Sequence, residues 1–466
     1  MTVQESYRAK LVSAADAAAA VPSGTQVLVA MGLGAPPGIL RALADRIRAD
    51  DLVDLDLYYG IGGDAIGSTI LQPGVIEKVH AHTFFVAGLD HHIIADPGLA
   101  ERATLDFIPV NFSHLPRVIT ERLDIDTFVV QVSPMDASGH FSFGVANDYA
   151  TVAARACRRL IVEVNPHMPR VFGESVLHID EVHALVEHAS PLPEAVEAPP
   201  TAADRRIAEL VAAHIPDGAT LQIGAGRVPA AVAAALGGHR DLGIHSALFS
   251  SVFVPLIEAG VITGSKKTLH PRRHVWTSAV GDARTYAFMN DNPSMVSFRA
   301  DYVNNPQVIA QNDAMISVNA AIQVDLYGQV NAEMIGGLQY SGSGGQFDFV
   351  TGAAASRGGK SFVVLPSTAK GGAISTIVPR VDIVTDERMD VEHVATEHGV
   401  VNLRGLSTRE RALALISLAD DVHKAALIEA AKAQRLIGCG LLTDDGGARS
   451  LTRSGADPRW SAPEGR

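Results

Sequence analysis

The sequence predicts two tandem, similar α/β domains with mainly parallel sheets, and three observations carry that prediction. Its 466 residues are about two to three times the usual single-domain length, so two hydrophobic cores are the default. Its composition, 47% hydrophobic with 42 glycines and only 5% aromatics, suits a large α/β enzyme of many short turns. A β-sandwich or a disordered chain fits less well. The third observation is an internal duplication.

In chain order, the first copy opens at residues 23–43, SGTQVLVAMGLGAPPGILRAL: a turn glycine, an apolar strand, a Gly-x-Gly loop at Gly32 and Gly34, prolines, then an apolar helix. The apolar stretch TFVVQVS then leads to an Asp-x-x-Gly turn from Asp136 to Gly139. Residues 188–206, HASPLPEAVEAPPTAADRR, hold four prolines and no apolar periodicity, and read as a linker. Thr201 is placed to cap the next helix, whose apolar face is Ile207, Leu210 and Val211, and Pro216-Asp217-Gly218 turns the chain into a strand. The second copy follows at 217–236, DGATLQIGAGRVPAAVAAAL, and its own Asp-x-x-Gly turn, Asp325 to Gly328, follows AMISVNA. Alternating β and α signals of this length imply parallel sheets covered by helices. The expected division is an N-terminal domain at 1–190, a linker at 191–206, a C-terminal domain at 207–442 and a mobile tail at 443–466.

Composition also excludes functions. Thirty-eight basic against 51 acidic residues leave a net charge of −13, which argues against a broad nucleic-acid or membrane surface. Two cysteines, Cys157 and Cys439, are too few for a disulfide framework and fit a reducing cytoplasm; Cys157 reads as a small core thiol. No signal peptide and no apolar run of membrane-spanning length is visible. His80 and His82 share a strand face and Asp90-His91-His92 is a polar run, but no further ligands follow at metal spacing, so no metal site is expected. His245 and Ser246, adjacent on a strand, point to opposite faces and form no dyad.

Two glycine loops are the candidate chemistry. Gly224-Ala225-Gly226 lies between a strand and a helix, where backbone N–H groups can face an anion or a polarised carbonyl; it is also what a tight turn requires. It lacks the third glycine and the acidic residue of a dinucleotide site. The cluster SGSGGQFDFVTGA at 341–353 puts Gly342, Gly344 and Gly345 within four positions, where bare backbone can approach a substrate. Asp348 and Glu333 are acidic candidates nearby. The basic run SKKTLHPRRH, with Lys266, Lys267, Arg272 and Arg273, is either a phosphate site or a solvated face, and Lys370 is a comparable cation.

Residues 241–264, DLGIHSALFSSVFVPLIEAGVITG, resemble the nucleophile segment of the acetate and 4-hydroxybutyrate CoA-transferases, also called the acetyl-CoA hydrolase/transferase family. Six further blocks resemble the family in the right order: NFSHLPR (111–117), QVSPMDASGHFSFGVANDY (131–149), EVNPHMPRVFGES (163–175), DYVNNPQVIAQND (301–313), LPSTAKGGAIS (365–375) and VATEHGVVNLRG (394–405). The resemblance implies the CoA-transferase fold, acyl-CoA and a small carboxylate as partners, no tightly bound cofactor, and a homodimer. It implies site roles for Asn304 as an active-site amide, Gly344 as a thioester-oxygen donor and Glu397 as a carboxylate. Where the family carries its nucleophilic glutamate, this chain has Ala247, and Leu248 and SSVFVPL differ from the pattern too. Three readings follow: thioester chemistry without a glutamyl-CoA intermediate, by hydrolysis or through an enolate, with Glu397 as base; conventional transfer, by a relocated nucleophile or with Ala247 an engineered replacement; and an inactive CoA-binding or partner subunit.

Overall fold

The computed structural model describes residues 2–88, 90–100, 104–195 and 198–438; the expected tail and Cys439 lie outside them. In the two large sheets the strands up to residue 187 are Gln26–Val29 (β1), Leu55–Ile61 (β2), Val79–Phe85 (β3), Thr104–Phe107 (β4), Ile125–Val132 (β5), Arg159–Val164 (β6), Phe172–Gly173 (β7) and Ala184–Glu187 (β8). Beyond it come Thr220–Ile223 (β9), Gly243–Ser250 (β10), His274–Val280 (β11), Met295–Ser297 (β12), Met315–Ala320 (β13), Lys360–Val364 (β14), His393–Thr396 (β15) and Gly399–Asn402 (β16).

The strand orders make the duplication explicit. The first sheet runs β8-β6-β5-β1-β2-β3-β4 and the second β16-β15-β14-β13-β9-β10-β11-β12-β7. Seven strands correspond in order, with β9 in the place of β1 and β10 in the place of β2. Every pairing is parallel except the β15–β16 hairpin. The two Asp-x-x-Gly turns match in detail: Gly139 and Gly328 each donate to the carbonyl of the aspartate three residues back, at φ +87° and +89°. A side chain at that φ is strained, which is why both copies need glycine there.

Strand alternation builds the layers. Val27, Val29, Leu57 and Tyr59 face one side of the first sheet, where the helix Pro37–Arg48 (α1) lays down Ile39, Leu43 and Ile47 at helical spacing. Leu28, Tyr58, Phe128 and Val130 face the other side, under the helices Leu115–Glu121 (α2) and Ala150–Ala156 (α3). The helix Ala202–Ala212 (α4) is capped by Thr201, whose hydroxyl accepts from Asp204 N–H while the Asp204 carboxylate returns to Thr201 N–H. The last five residues of the expected linker, 202–206, are therefore helical, because the capping box sets the start before the apolar face begins.

Chain order and sheet membership part at β7. This two-residue strand precedes the last strand of the first sheet yet forms the outer edge of the second, pairing Phe172 with Val296 and Gly173 with Ser297. A Cβ on Gly173 would meet the Ser297 carbonyl, so only glycine closes that edge. Among the described residues no helix is long and apolar enough to cross a membrane.

Candidate active site

The parallel strands of the second sheet deliver their C-terminal ends to one edge, the edge at which α/β sheets bind ligands. β10 carries His245 and Ala247 on one face by alternation, toward the short helix Ala300–Val303 (α5) and the ten-residue helix Gln346–Ala355 (α6). The Ala247 methyl packs against an apolar group that includes Val275, Val303 and Phe349, a group that Phe298 and Tyr302 also cover. His245 Nε2 donates to the Val303 carbonyl at 2.8 Å and its ring meets Phe349 edge-on. Burial first, with Lys267 nearby, pushes this histidine down to about 3, so it stays neutral. Ser246 turns away and donates to the Leu248 carbonyl, as expected for adjacent strand residues.

Asn304 follows α5 directly and is fully buried. A Cβ built on Gly345 would stand 2.1 Å from Asn304 Nδ2 and 3.5 Å from the Ala247 methyl. Ala247, Asn304 and Gly345 thus share one small space. Asn304 Nδ2 donates to Asp348 Oδ2 at 3.4 Å, and Oδ1 has no partner among the described residues. Asp348, in the first turn of α6, also accepts from Ser113 N–H at 3.0 Å and Ser113 Oγ at 2.7 Å. Burial pushes its carboxyl up to about 6, while the hydrogen bonds from Ser113 and Asn304 pull the other way.

The glycine cluster is pinned on the first half of the chain. Gly344 has φ +50° and its carbonyl accepts from Phe112 N–H at 2.9 Å. Ser343 Oγ donates to the Val110 carbonyl, and Gly342 sits on Phe84, Phe85 and Phe107. The N–H groups of Gly344 and Gly345 meet no protein acceptor among the described residues, and they precede a helix of ten residues. Glu333 shapes the approach, since its carbonyl accepts from Tyr340 and Ser341 N–H at 2.8 and 3.0 Å. Gln346 donates to Asp386, a fully buried carboxyl that burial raises to about 7.

Other expected site residues fall elsewhere. Gly224 N–H is spent on the Val318 carbonyl at 2.8 Å, and the N–H groups of Ala225 and Gly226 meet no acceptor among the described residues. Gly226, at φ +112°, is the turn into the helix Arg227–Ala234, where Arg227 bonds the buried Asp204. Glu397 directly follows β15, so β9, β13 and β14 lie between its strand and β10. At about 4.8 Å per strand that is roughly 19 Å along the sheet. Ser367 holds its carboxylate through N–H at 2.8 Å and Oγ at 2.6 Å. Glu397 is not brought to Ala247 and Asn304, because blocks in sequence order do not reveal strand order. Lys370 is exposed at the tip of the hairpin Thr368–Ala369 and Ile374–Ser375, on the same sheet edge.

The basic run divides. Lys267 is buried and donates to the carbonyls of Ile244 and Arg273 at 2.7 and 2.9 Å, and burial lowers it to about 7. The run precedes β11, which puts it at the N-terminal edge of the sheet, away from the glycine loops. Two surface cavities, of about 390 Å³ beside Met168 and Tyr286 and about 640 Å³ beside Arg155 and Arg299, have neither Asn304 nor a glycine loop in their walls. Sequence reasoning named Asp348 without its partner Ser113; the NFSHLPR block was the available signal.

Residues 1–196 match the acetyl-CoA hydrolase/transferase N-terminal domain and residues 281–431 its C-terminal domain. The 4-hydroxybutyrate coenzyme A transferase of Clostridium kluyveri is 39% identical over 435 residues, covering 92% of this chain and 98% of that protein. The succinyl-CoA:cyclohexane-1-carboxylate CoA transferase of Geobacter metallireducens is 36% identical over 432 residues, covering 92% and 96%. The crystal structure of RipA from Yersinia pestis superposes with a TM-score of 0.91 at 42% identity, covering 94% of this chain and 100% of RipA.

Proposed function

The chain belongs to the acetyl-CoA hydrolase/transferase family, whose members are enzymes of CoA thioesters, and from that premise we propose that it processes an acyl-CoA without a glutamyl-CoA intermediate. One observation carries the reading: the side chain beside Asn304 and Gly345 on β10 is the methyl of Ala247, which has no carboxylate to attack a thioester. The Gly344 and Gly345 N–H groups are the donors for the thioester oxygen, and a donor of this kind lowers the barrier by about 3–4 kcal/mol. In hydrolysis, water oxygen bonds to the polarised carbonyl carbon and the C–S bond breaks; CoA leaves as its thiolate and takes up one of the water protons, and the other passes to solvent as the product acid ionises. The same polarisation acidifies the α-carbon, which keeps enolate chemistry open to this site. Asp348, not Glu397, is the carboxylate that touches Asn304, and it positions that amide. Lys370 serves the nucleotide end of CoA.

Conventional transfer to a small carboxylate is the second reading, favoured by the transferase relatives at 39% and 36% identity. It requires another carboxylate, or the acceptor's own, to do the work of the missing glutamate. The separating experiment is a panel of acyl-CoAs assayed for free-thiol release with and without acetate. Acetate-independent release supports the first reading. Acetate-dependent acyl exchange supports the second, and no turnover with saturable CoA binding leaves a binding subunit.

A further inference from the structure

Four side chains meet at the N-terminal ends of β2, β3 and β4, away from the glycine loop. Asp56 comes from β2, His80 and His82 from β3, and Asp106 from β4, adjacent strands with all four on one face. His80 Nδ1 lies 3.1 Å and His82 Nε2 3.4 Å from the same oxygen, Asp56 Oδ1. The opposite nitrogens turn to Asp106 Oδ2, His80 Nε2 at 3.3 Å and His82 Nδ1 at 3.8 Å. The two rings stand 4.5 Å apart, and Tyr58 stacks on His82 at 4.4 Å, fixing its plane.

Counting protons exposes the problem this cluster poses. Two neutral imidazoles own two N–H groups, yet four ring nitrogens face carboxylate oxygens. However the two protons are placed, two of the four nitrogens turn a lone pair toward a carboxylate oxygen. Double protonation would satisfy all four at the cost of two imidazolium rings in contact. A cation on the Asp56 side satisfies them without that repulsion.

We propose that Asp56 Oδ1, His80 Nδ1 and His82 Nε2 bind a divalent cation of the zinc class, with Asp106 accepting the remaining N–H of each ring. Tetrahedral zinc with ligands at about 2.0–2.1 Å sets its ligand atoms about 3.3 Å apart, which the 3.1 and 3.4 Å spacings already approach. A ligand atom from each of the three residues falls within 4.8 Å of the others, so closing the His80–His82 edge is a side-chain adjustment. Asp106 supplies the carboxylate–histidine–metal arrangement that fixes tautomer and ring orientation. Two imidazoles with one carboxylate prefer zinc, cobalt or nickel over magnesium or calcium. The partly exposed ring of His80, 46% accessible, leaves an entry path and a vertex for water. His80 lies five residues before Phe85, which touches the glycine loop, about 16 Å at 3.3 Å per residue, so the cation joins β2 to β3, with β4 held through Asp106, and takes no part in thioester chemistry.

The test is calorimetric titration of zinc into chelator-stripped full-length protein and into His80→Asn, His82→Asn and Asp106→Asn. The expected result is one saturable site per chain in the wild type, about 100-fold or more weaker in each histidine variant and about 10- to 100-fold weaker in Asp106→Asn. Tenfold excess magnesium leaves the isotherm unchanged, and CoA-thioester turnover is the same in all four proteins. Absence of a saturable site, or equal zinc affinity in wild type and both histidine variants, overturns the proposal. Should a histidine variant fail to fold by circular dichroism, Asp106→Asn decides: unchanged affinity there refutes the arrangement.

Discussion

Replacing Gly345 by alanine perturbs the candidate pocket with one methyl group. Gly345 has φ −99°, a conformation any residue adopts, so the substitution carries no backbone strain. The new Cβ would stand 2.1 Å from Asn304 Nδ2, and a tolerable contact of about 3.0–3.4 Å requires the amide to retreat by about 1 Å. Asn304 has nowhere to retreat without loosening its 3.4 Å contact to Asp348. Overpacking of this kind costs about 1–3 kcal/mol of stability. A displacement of about 1 Å in positioning costs about 100-fold in rate. The assay pairs kcat/KM for thiol release from the best acyl-CoA with the urea midpoint, so that lost activity is separated from unfolding. A folded Gly345→Ala protein that keeps kcat/KM within threefold of wild type would refute the placement of the reacting carbonyl beside Asn304.

Ala247→Glu should install ping-pong CoA exchange between an acyl-CoA and a free acid, because the introduced carboxylate needs only to reach about 3–3.5 Å from the thioester carbon; isotope exchange checks it, and a folded variant that binds acyl-CoA but exchanges nothing counts against a conserved pocket. Asp348 titrates from an ordinary 3.8 up to about 6 in the fold, so its stabilising contribution is complete below 3.8 and lost as pH rises through 6. That difference is worth about 3 kcal/mol, and the stability of Asp348→Asn relative to wild type should rise by about that much from pH 4 to pH 7. Urea midpoints across that range check it, a pH-independent difference being the contrary result. Glu397→Gln should leave thiol release within threefold, since four strand spacings and Ser367 hold that carboxylate away from Ala247; a loss of about 100-fold would return the base to Glu397.

Much of the architecture was readable because the duplication is written in glycines. Gly139 and Gly328 occupy left-handed turns after equivalent central strands, and residues with such backbone requirements survive in the sequence as signals. Asn304 was readable by resemblance and Gly345 from the glycine cluster, and the structure brings both beside Ala247. What stayed hidden depends on lateral strand order, which no local pattern encodes. Glu397 follows its block in sequence, but its strand is separated from β10 by three others. The basic run has the right charges on the wrong edge, and one of its lysines is inside the core, serving two carbonyls. Asp56 and Asp106 flank His80 and His82 only because β2 and β4 flank β3; spacing along the chain showed two histidines and no further ligands. Strand β7 is two residues long, too short to carry a period.

Whether a carboxylate becomes covalently attached to CoA during turnover decides the account most directly. Wild type and Ala247→Glu are incubated with acyl-CoA, treated with borohydride, and read by intact and peptide mass spectrometry. Wild type should release thiol yet carry no CoA-sized or reduced-ester mass on any peptide, while the variant acquires one on the peptide containing residue 247. A covalent CoA adduct on any carboxylate of the wild-type protein would contradict the account and establish transfer through a relocated nucleophile.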